Sequence, residues 1–150
     1  MKRLESAELF LGAWVVRHLD DGHYSSPHRV YGIWENGDCS LLGGDAVERV
    51  SLGELGAIPI NASTLHGFGF EKARGNDVYL LTVGAMRMTV SLRWKHGEQQ
   101  CRRVALTGKT TCWNEEIRSV HELQRWWVDK VLLPFGIPLV LEWHGNEEEV

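Results

Sequence analysis

The chain is poor in cysteine, and the three it has form no pattern. Cys39, Cys101 and Cys112 give an odd count without C-x-x-C spacing. That excludes a zinc framework and a disulfide framework alike, and free thiols in a reducing cytoplasm are expected. A long apolar run is lacking too. The longest, Val131 to Leu141, is broken by Pro134, Gly136 and Pro138, well short of the about 20 apolar residues that span a bilayer. No apolar stretch of signal-peptide type follows Met1-Lys2-Arg3-Leu4-Glu5-Ser6, so neither secretion nor a membrane partner is expected. An excess of positive charge is also missing: the net charge is −4. This argues against a general nucleic-acid binder, although it allows a local basic face. There is no internal repeat, low-complexity tract or long linker, and 150 residues suffice for one cooperative unit with a sizeable core.

Tryptophan is abundant. Trp14, Trp34, Trp94, Trp113, Trp126, Trp127 and Trp143 run the whole length. Most are expected in the core, where each ring buries a large apolar area while its N–H reaches the rim. The remainder would serve a binding surface.

The first third reads as short strands and tight turns. Leu9 to His18 is apolar and β-rich, with Gly12 at a bend. Asp20 to Pro27 is a polar loop. Asn36-Gly37, between Arg29–Trp34 and Asp38–Leu42, is the strongest hairpin signal. Val47 and Val50 suggest a further strand before a turn at residues 51–55. Such a pattern suits a small, strongly bent barrel or a curled sheet.

Asn61 then fits the N-cap of a single helical turn, Ala62 to His66, ended by Gly67. Gly75-Asn76 would turn a second hairpin between residues 70–73 and 78–81. Residues 86–92 alternate with apolar side chains on even positions, and His96-Gly97 is a turn before a strand over 101–106. Ser119 and Glu122 fit a capping box. Val120, Leu123, Trp127 and Val131, flanked by Trp126, form one apolar helical face, with Pro134 and Gly136 as terminators. Ile137 to Trp143 reads as a closing strand.

The expected fold is therefore α+β. A small SH3-like β-barrel-type part over residues 1–57 would pack on an antiparallel sheet with one principal helix, 119–132, within residues 58–144. An acidic, disordered tail over 145–150 follows.

Three strings carry a family resemblance: Ile58-Pro59-Ile60-Asn61, Phe68-Gly69-Phe70-Glu71-Lys72 and Ile117-Arg118-Ser119-Val120-His121-Glu122-Leu123-Gln124. In order and spacing the chain resembles a family of small uncharacterised proteins of phages, prophages and mobile elements of anaerobic gut-type bacteria. Those chains have a β-rich front, an I-P-L-T … G-F-E-K segment and a V-H-x-L-Q helix. The chain departs from the pattern at Arg125-Trp126-Trp127, where the family has Asn-Leu-Tyr, and at Pro134 and Pro138. The resemblance implies a mobile-element origin and a fold, but no reaction.

Candidate chemistry is sparse. Thr107-Gly108-Lys109-Thr110 lacks the earlier glycine of a phosphate loop, because Arg103 stands there, and it reads as a β-turn. His18, Asp20, Asp21, His23 and His28 lie within eleven residues. They suggest a metal-dependent hydrolase as an alternative, although no partner cluster supplies the remaining ligands. His121 is a structural residue or a general base without an identifiable nucleophile. No catalytic residue and no cofactor is assigned, and the protein is read as non-catalytic.

The remaining signal is cationic and aromatic. Arg87, Arg93, Lys95, Arg102, Arg103, Lys109, Arg118 and Arg125 interleave with Trp94, Trp113 and Trp126. The candidate binding residues are Trp94, Arg102, Arg103, Trp113, Arg118, Arg125 and Trp126. The expected role is a cytoplasmic binding or accessory module with a protein partner. Single-stranded nucleic acid on the Arg/Trp surface is the alternative.

Overall fold

The computed structural model describes Leu4 and residues 9–43, 46–73, 77–107, 111–113 and 117–145, without the side chains of residues 43, 46, 47, 102, 107 and 111–113. The expected tail and the Gly75-Asn76 turn lie outside the described residues, apart from Gly145. The chain divides into two compact units. One comprises Met1–Pro59 with Ser119–His121, the other Ile60–Arg118 with Glu122–Gly145.

The first unit holds a five-stranded antiparallel sheet. Its strands are β1 (Trp14–Arg17), β2 (His28–Ile33), β3 (Cys39–Gly43), β4 (Ala46–Val50) and β5 (Leu55–Ala57), ordered β4-β3-β2-β1-β5. A 3-10 turn, Leu52–Glu54, joins β4 to β5. Alternation sends Ala13, Val15, Val30, Cys39, Leu41, Val50, Leu55 and Ala57 into one core. The sheet curls around that core. Arg17 of β1 meets Glu48 of β4 at 2.6 Å, although three strand spacings of about 4.8 Å would separate those strands if the sheet were flat. No ladder joins β4 to β5 among the described residues, so the curl does not close into a hydrogen-bonded barrel. The Pro59↔Ser119 bridge and the Val120 N–H, which donates to the Ile58 carbonyl at 2.9 Å, tie residues 119–121 to this unit.

The second unit begins with α1 (Ala62–Gly67). Asn61 caps it as expected: its side chain accepts from the Thr64 N–H, and Thr64 Oγ1 accepts from the Asn61 N–H. A second five-stranded antiparallel sheet follows, ordered β10-β9-β8-β7-β6. Its strands are β6 (Glu71–Lys72), β7 (Val78–Val83), β8 (Met86–Lys95), β9 (Glu98–Thr107) and β10 (Thr111–Trp113). Met86, Met88, Val90 and Leu92 point to the buried face, with Val104 and Leu106 across from them. The β8–β9 turn places both His96 (φ 54) and Gly97 (φ 77) in the left-handed region, the geometry of a two-residue type I′ hairpin.

The principal helix starts at Val120 and runs further than expected. After α2 (Val120–Trp127) come a π-helical turn, Val128–Leu132, and a last turn, α3 (Leu133–Phe135). Pro134 does not terminate it. The Leu133 N–H bonds five residues back to the Val128 carbonyl, and this widening accommodates a proline ring that would otherwise crowd the preceding turn. Gly136 at φ 71 ends the helix. The closing strand expected over Ile137–Trp143 is not a ladder strand. The segment is held by side chains instead: Trp127 Nε1 donates to the Ile137 carbonyl at 2.8 Å, and the Trp143 ring meets Phe68 edge-on at 5.0 Å. Pro138 removes one ladder donor, and Leu141 is buried.

Candidate functional site

A surface feature with organised side chains lies on the first unit, at the β2–β3 hairpin. The Trp34 N–H donates to the Asp38 carbonyl at 2.8 Å, the Gly37 N–H to the Trp34 carbonyl at 3.0 Å, and Gly37 takes φ 87. The Asn36 side chain accepts from the Asp38 N–H at 3.0 Å. Asn36-Gly37 therefore makes the expected turn, with positive φ at the glycine alone. The consequence is that Trp34 leaves the ladder at a fixed angle.

The Trp34 ring is then clamped. Ser40 pairs with Arg49 across β3 and β4. Trp34 Nε1 donates to Ser40 Oγ at 3.3 Å, and the Arg49 guanidinium lies over the ring at 4.2 Å. Asp38 accepts from Arg49 Nε at 3.0 Å and holds that guanidinium in place. Cation–π stacking at such a half-exposed site contributes about 0.5–1 kcal/mol. Despite these contacts Trp34 remains 49% exposed. Beside it in sequence, Tyr31 is 66% exposed at a break in the β2–β3 register, and Ile33 and Leu42 are exposed as well. An irregularity of this kind re-aims a side chain.

Of the residues singled out from sequence, the described ones fall on different faces or in the core. Trp94 is 67% exposed, but it lies on the same face of β8 as Met88 and Val90, opposite Gln99. Arg93 and Lys95 occupy the other face, and Arg103 stands across from Ser91 on that other face. Trp126 is buried at 5% exposure and belongs to the apolar face of α2, a correction to its place in the candidate set. Helical periodicity explains this: Trp126 precedes Trp127 within the packed face. Arg118 and Arg125 are exposed. The side chains of Arg102 and Trp113 lie outside the described residues.

The His18–His28 loop is an ordered hairpin. His18 and Tyr24 form a bridge and stack at 4.5 Å between centroids. The Leu19 N–H donates to the His23 carbonyl at 2.8 Å, and Asp21 accepts from the His23 N–H at 3.0 Å. Among the described residues no three His, Cys, Asp or Glu side chains converge on a metal position. His18, Asp20, Asp21, His23 and His28 thus build a turn here, and the structure does not bring them together. His121 is buried at the start of α2, with Ser119 Oγ 3.0 Å from its Nδ1. Glu122 accepts from the Arg118 N–H at 2.9 Å, one residue before the expected Ser119.

A shallow concavity of ≈ 310 Å³ at the β6–β7 edge is lined by Gly69, Glu71, Leu80, Leu81, Thr82 and Arg87. It carries both charge signs, Glu71 and Arg87, without an ion pair between them, and holds no nucleophile beside a base. Cys101 is no nucleophile either. Burial pushes its thiol from 9.0 up to about 11, outweighing the backbone hydrogen bonds at Ile117 and Arg103 and the Arg93 charge.

Comparison with protein-family models, curated proteins and solved structures gives no match.

Sequence reasoning did not single out Trp34 as a candidate residue. The signal was present in part: a tryptophan directly before an Asn-Gly turn. Arg49, however, reaches the ring only through the Ser40↔Arg49 register, which the sequence does not display.

Proposed function

We propose that the protein is a non-catalytic docking module whose first unit, SH3-like in design, binds a protein partner through Trp34, Tyr31 and Leu42. The observation that carries this reading is the clamped, half-exposed Trp34. A ring already fixed by Ser40 and Arg49 loses little conformational freedom on binding, and preorganisation of this kind raises affinity. Trp, Tyr and Arg are also the residues on which interface energy concentrates. The SH3-like assignment is supported by the strand order, which returns β5 beside β1 after a 3-10 turn, and by the curl that the Arg17–Glu48 pair spans.

The resemblance over residues 58–72 and 117–124 adds a phage or mobile-element origin to the proposal. A cytoplasmic setting is consistent with Cys39 and Cys101 as buried free thiols. No helix among the described residues is long and apolar enough to cross a membrane.

The test is capture of partner proteins from a host lysate by the full chain, side by side with Trp34→Ala and Tyr31→Ala. The expected result is a protein retained by the native chain and lost by both variants at unchanged melting temperature. Retention of the same proteins by all three would reject the surface.

A further inference from the structure

The outer face of the second sheet carries a different chemistry. Along β8 it presents Arg87, Arg93 and Lys95, and from β9 it presents Arg103 opposite Ser91. Arg87, Lys95 and Arg103 are exposed, and none forms an ion pair among the described residues. Two carboxylates share the face: Glu71 at the register of Leu80, and Glu98 opposite Lys95 at the hairpin tip. The cations outnumber them, and from Arg87 to Lys95 they run along nine residues of strand, about 26 Å at about 3.3 Å per step.

We propose that this face binds the phosphate backbone of duplex nucleic acid without reading base sequence. The charge is what attracts a polyanion. Duplex is favoured over single strand by what the face lacks. Among the described residues it shows no exposed aromatic ring, since Trp94 lies on the opposite face, and single-strand binders take much of their affinity from base stacking on such rings. Phosphate contacts alone favour the form with the higher charge density, which is one charge per about 1.7 Å in a duplex. Arginine at two of the three exposed positions suits the geometry of phosphate oxygens. The affinity should fall in the non-specific range, a Kd of about 10⁻⁴ to 10⁻⁶ M. The site is independent of the Trp34 surface and lies on the other unit.

The experiment is fluorescence anisotropy of a labelled random-sequence duplex with the full chain, titrated from about 50 to 200 mM salt. Three phosphate contacts predict a log–log slope near −3 and a loss of about forty-fold across that range. The triple reversal Arg87→Glu, Lys95→Glu and Arg103→Glu should weaken binding by at least about ten-fold with an unchanged far-UV spectrum and melting temperature. Should the reversal impair folding, Arg87→Gln alone should still reduce the slope by about one. Trp34→Ala should bind the duplex as the native chain does. The proposal is overturned by no salt-dependent binding near 50 mM, by native-like binding of the triple variant, by loss of binding in Trp34→Ala, or by tighter binding of single strands or of poly-glutamate than of duplex.

Discussion

Two antiparallel sheets of the same strand number are built differently in this chain. The first is made of strands of three to six residues, with a register break at Val30/Gly32. It curls until β1 reaches β4 by a side-chain pair. The second rests on two ten-residue strands joined by a type I′ turn; β8 keeps an apolar face and a cationic face apart by alternation, and a register shift at Ser91/Leu92 interrupts its pairing with β9. Charge follows the same division. Residues 1–59 carry five Lys and Arg against nine Asp and Glu, whereas residues 60–145 carry eleven against eight. Strand length differs along with charge: the sheet of short strands curls, and the sheet of long strands lines up Arg87, Arg93 and Lys95 on one face of β8.

The largest effects should fall in the second unit. Trp127 is fully buried and also fastens Ile137 through its Nε1. Trp127→Ala should cost about 3–5 kcal/mol in urea unfolding, from lost burial and a residual cavity. A loss below about 1 kcal/mol would mean that the helix packs loosely. Gly67→Ala comes next. An added Cβ would stand 2.1 Å from the Trp143 ring, so overpacking should cost about 1–3 kcal/mol. Replacing Trp143 by Leu should relieve much of that cost. A double variant whose loss equals the sum of the single losses would show that the two do not meet.

Local signals were legible in the sequence where a few adjacent residues complete a motif. Asn61 with Thr64 caps α1, the even positions of 86–92 face the core, and Asn36-Gly37 turns a hairpin. Signals that depend on a distant partner were not. Ile137–Trp143 alternates like a strand, yet Trp127 and Phe68 hold it in place of a neighbouring strand. Trp126 and Trp94 look alike as tryptophans near arginines; helical phase buries Trp126, whereas Trp94 shares the parity of buried Met88 and Val90 and is exposed because it stands one pair from the His96-Gly97 turn. Pro134 reads as a stop because nothing in the sequence announces the π-turn before it.

Alkaline pH should also act through the buried thiols, Cys39 in the first unit and Cys101 in the second, both raised chiefly by burial. Cys101 titrates near 9.0 when exposed and near 11 in the fold. A folded pKa raised above the unfolded one gives stability that is fully present below about pH 9 and lost as pH climbs toward about 11. The unfolded chain releases its proton first in that window. Urea midpoints should therefore fall between those limits, and Cys101→Ala should flatten this part of the profile. An unchanged slope in the variant would assign the alkaline loss to other groups.

The smallest stability effect is expected at Trp34, the residue proposed for docking. Removing Trp34, Arg49 or both measures their coupling, which should be about 0.5–1 kcal/mol for a half-exposed cation–π pair. Asp38 complicates the single variants, because Arg49→Ala also frees that carboxylate from its 3.0 Å bond. Arg49→Lys is the sharper probe. It keeps the charge but loses the planar guanidinium that both stacks on the ring and meets Asp38. If Trp34 acts as a preorganised anchor, Arg49→Lys should weaken partner capture while moving the melting temperature by only a degree or two, since surface changes stay within about 0.5 kcal/mol. Should Arg49→Lys lower stability as much as a core substitution does, Trp34 would be a structural ring that happens to be wet, and the contrast between the two sheets would reduce to curl alone.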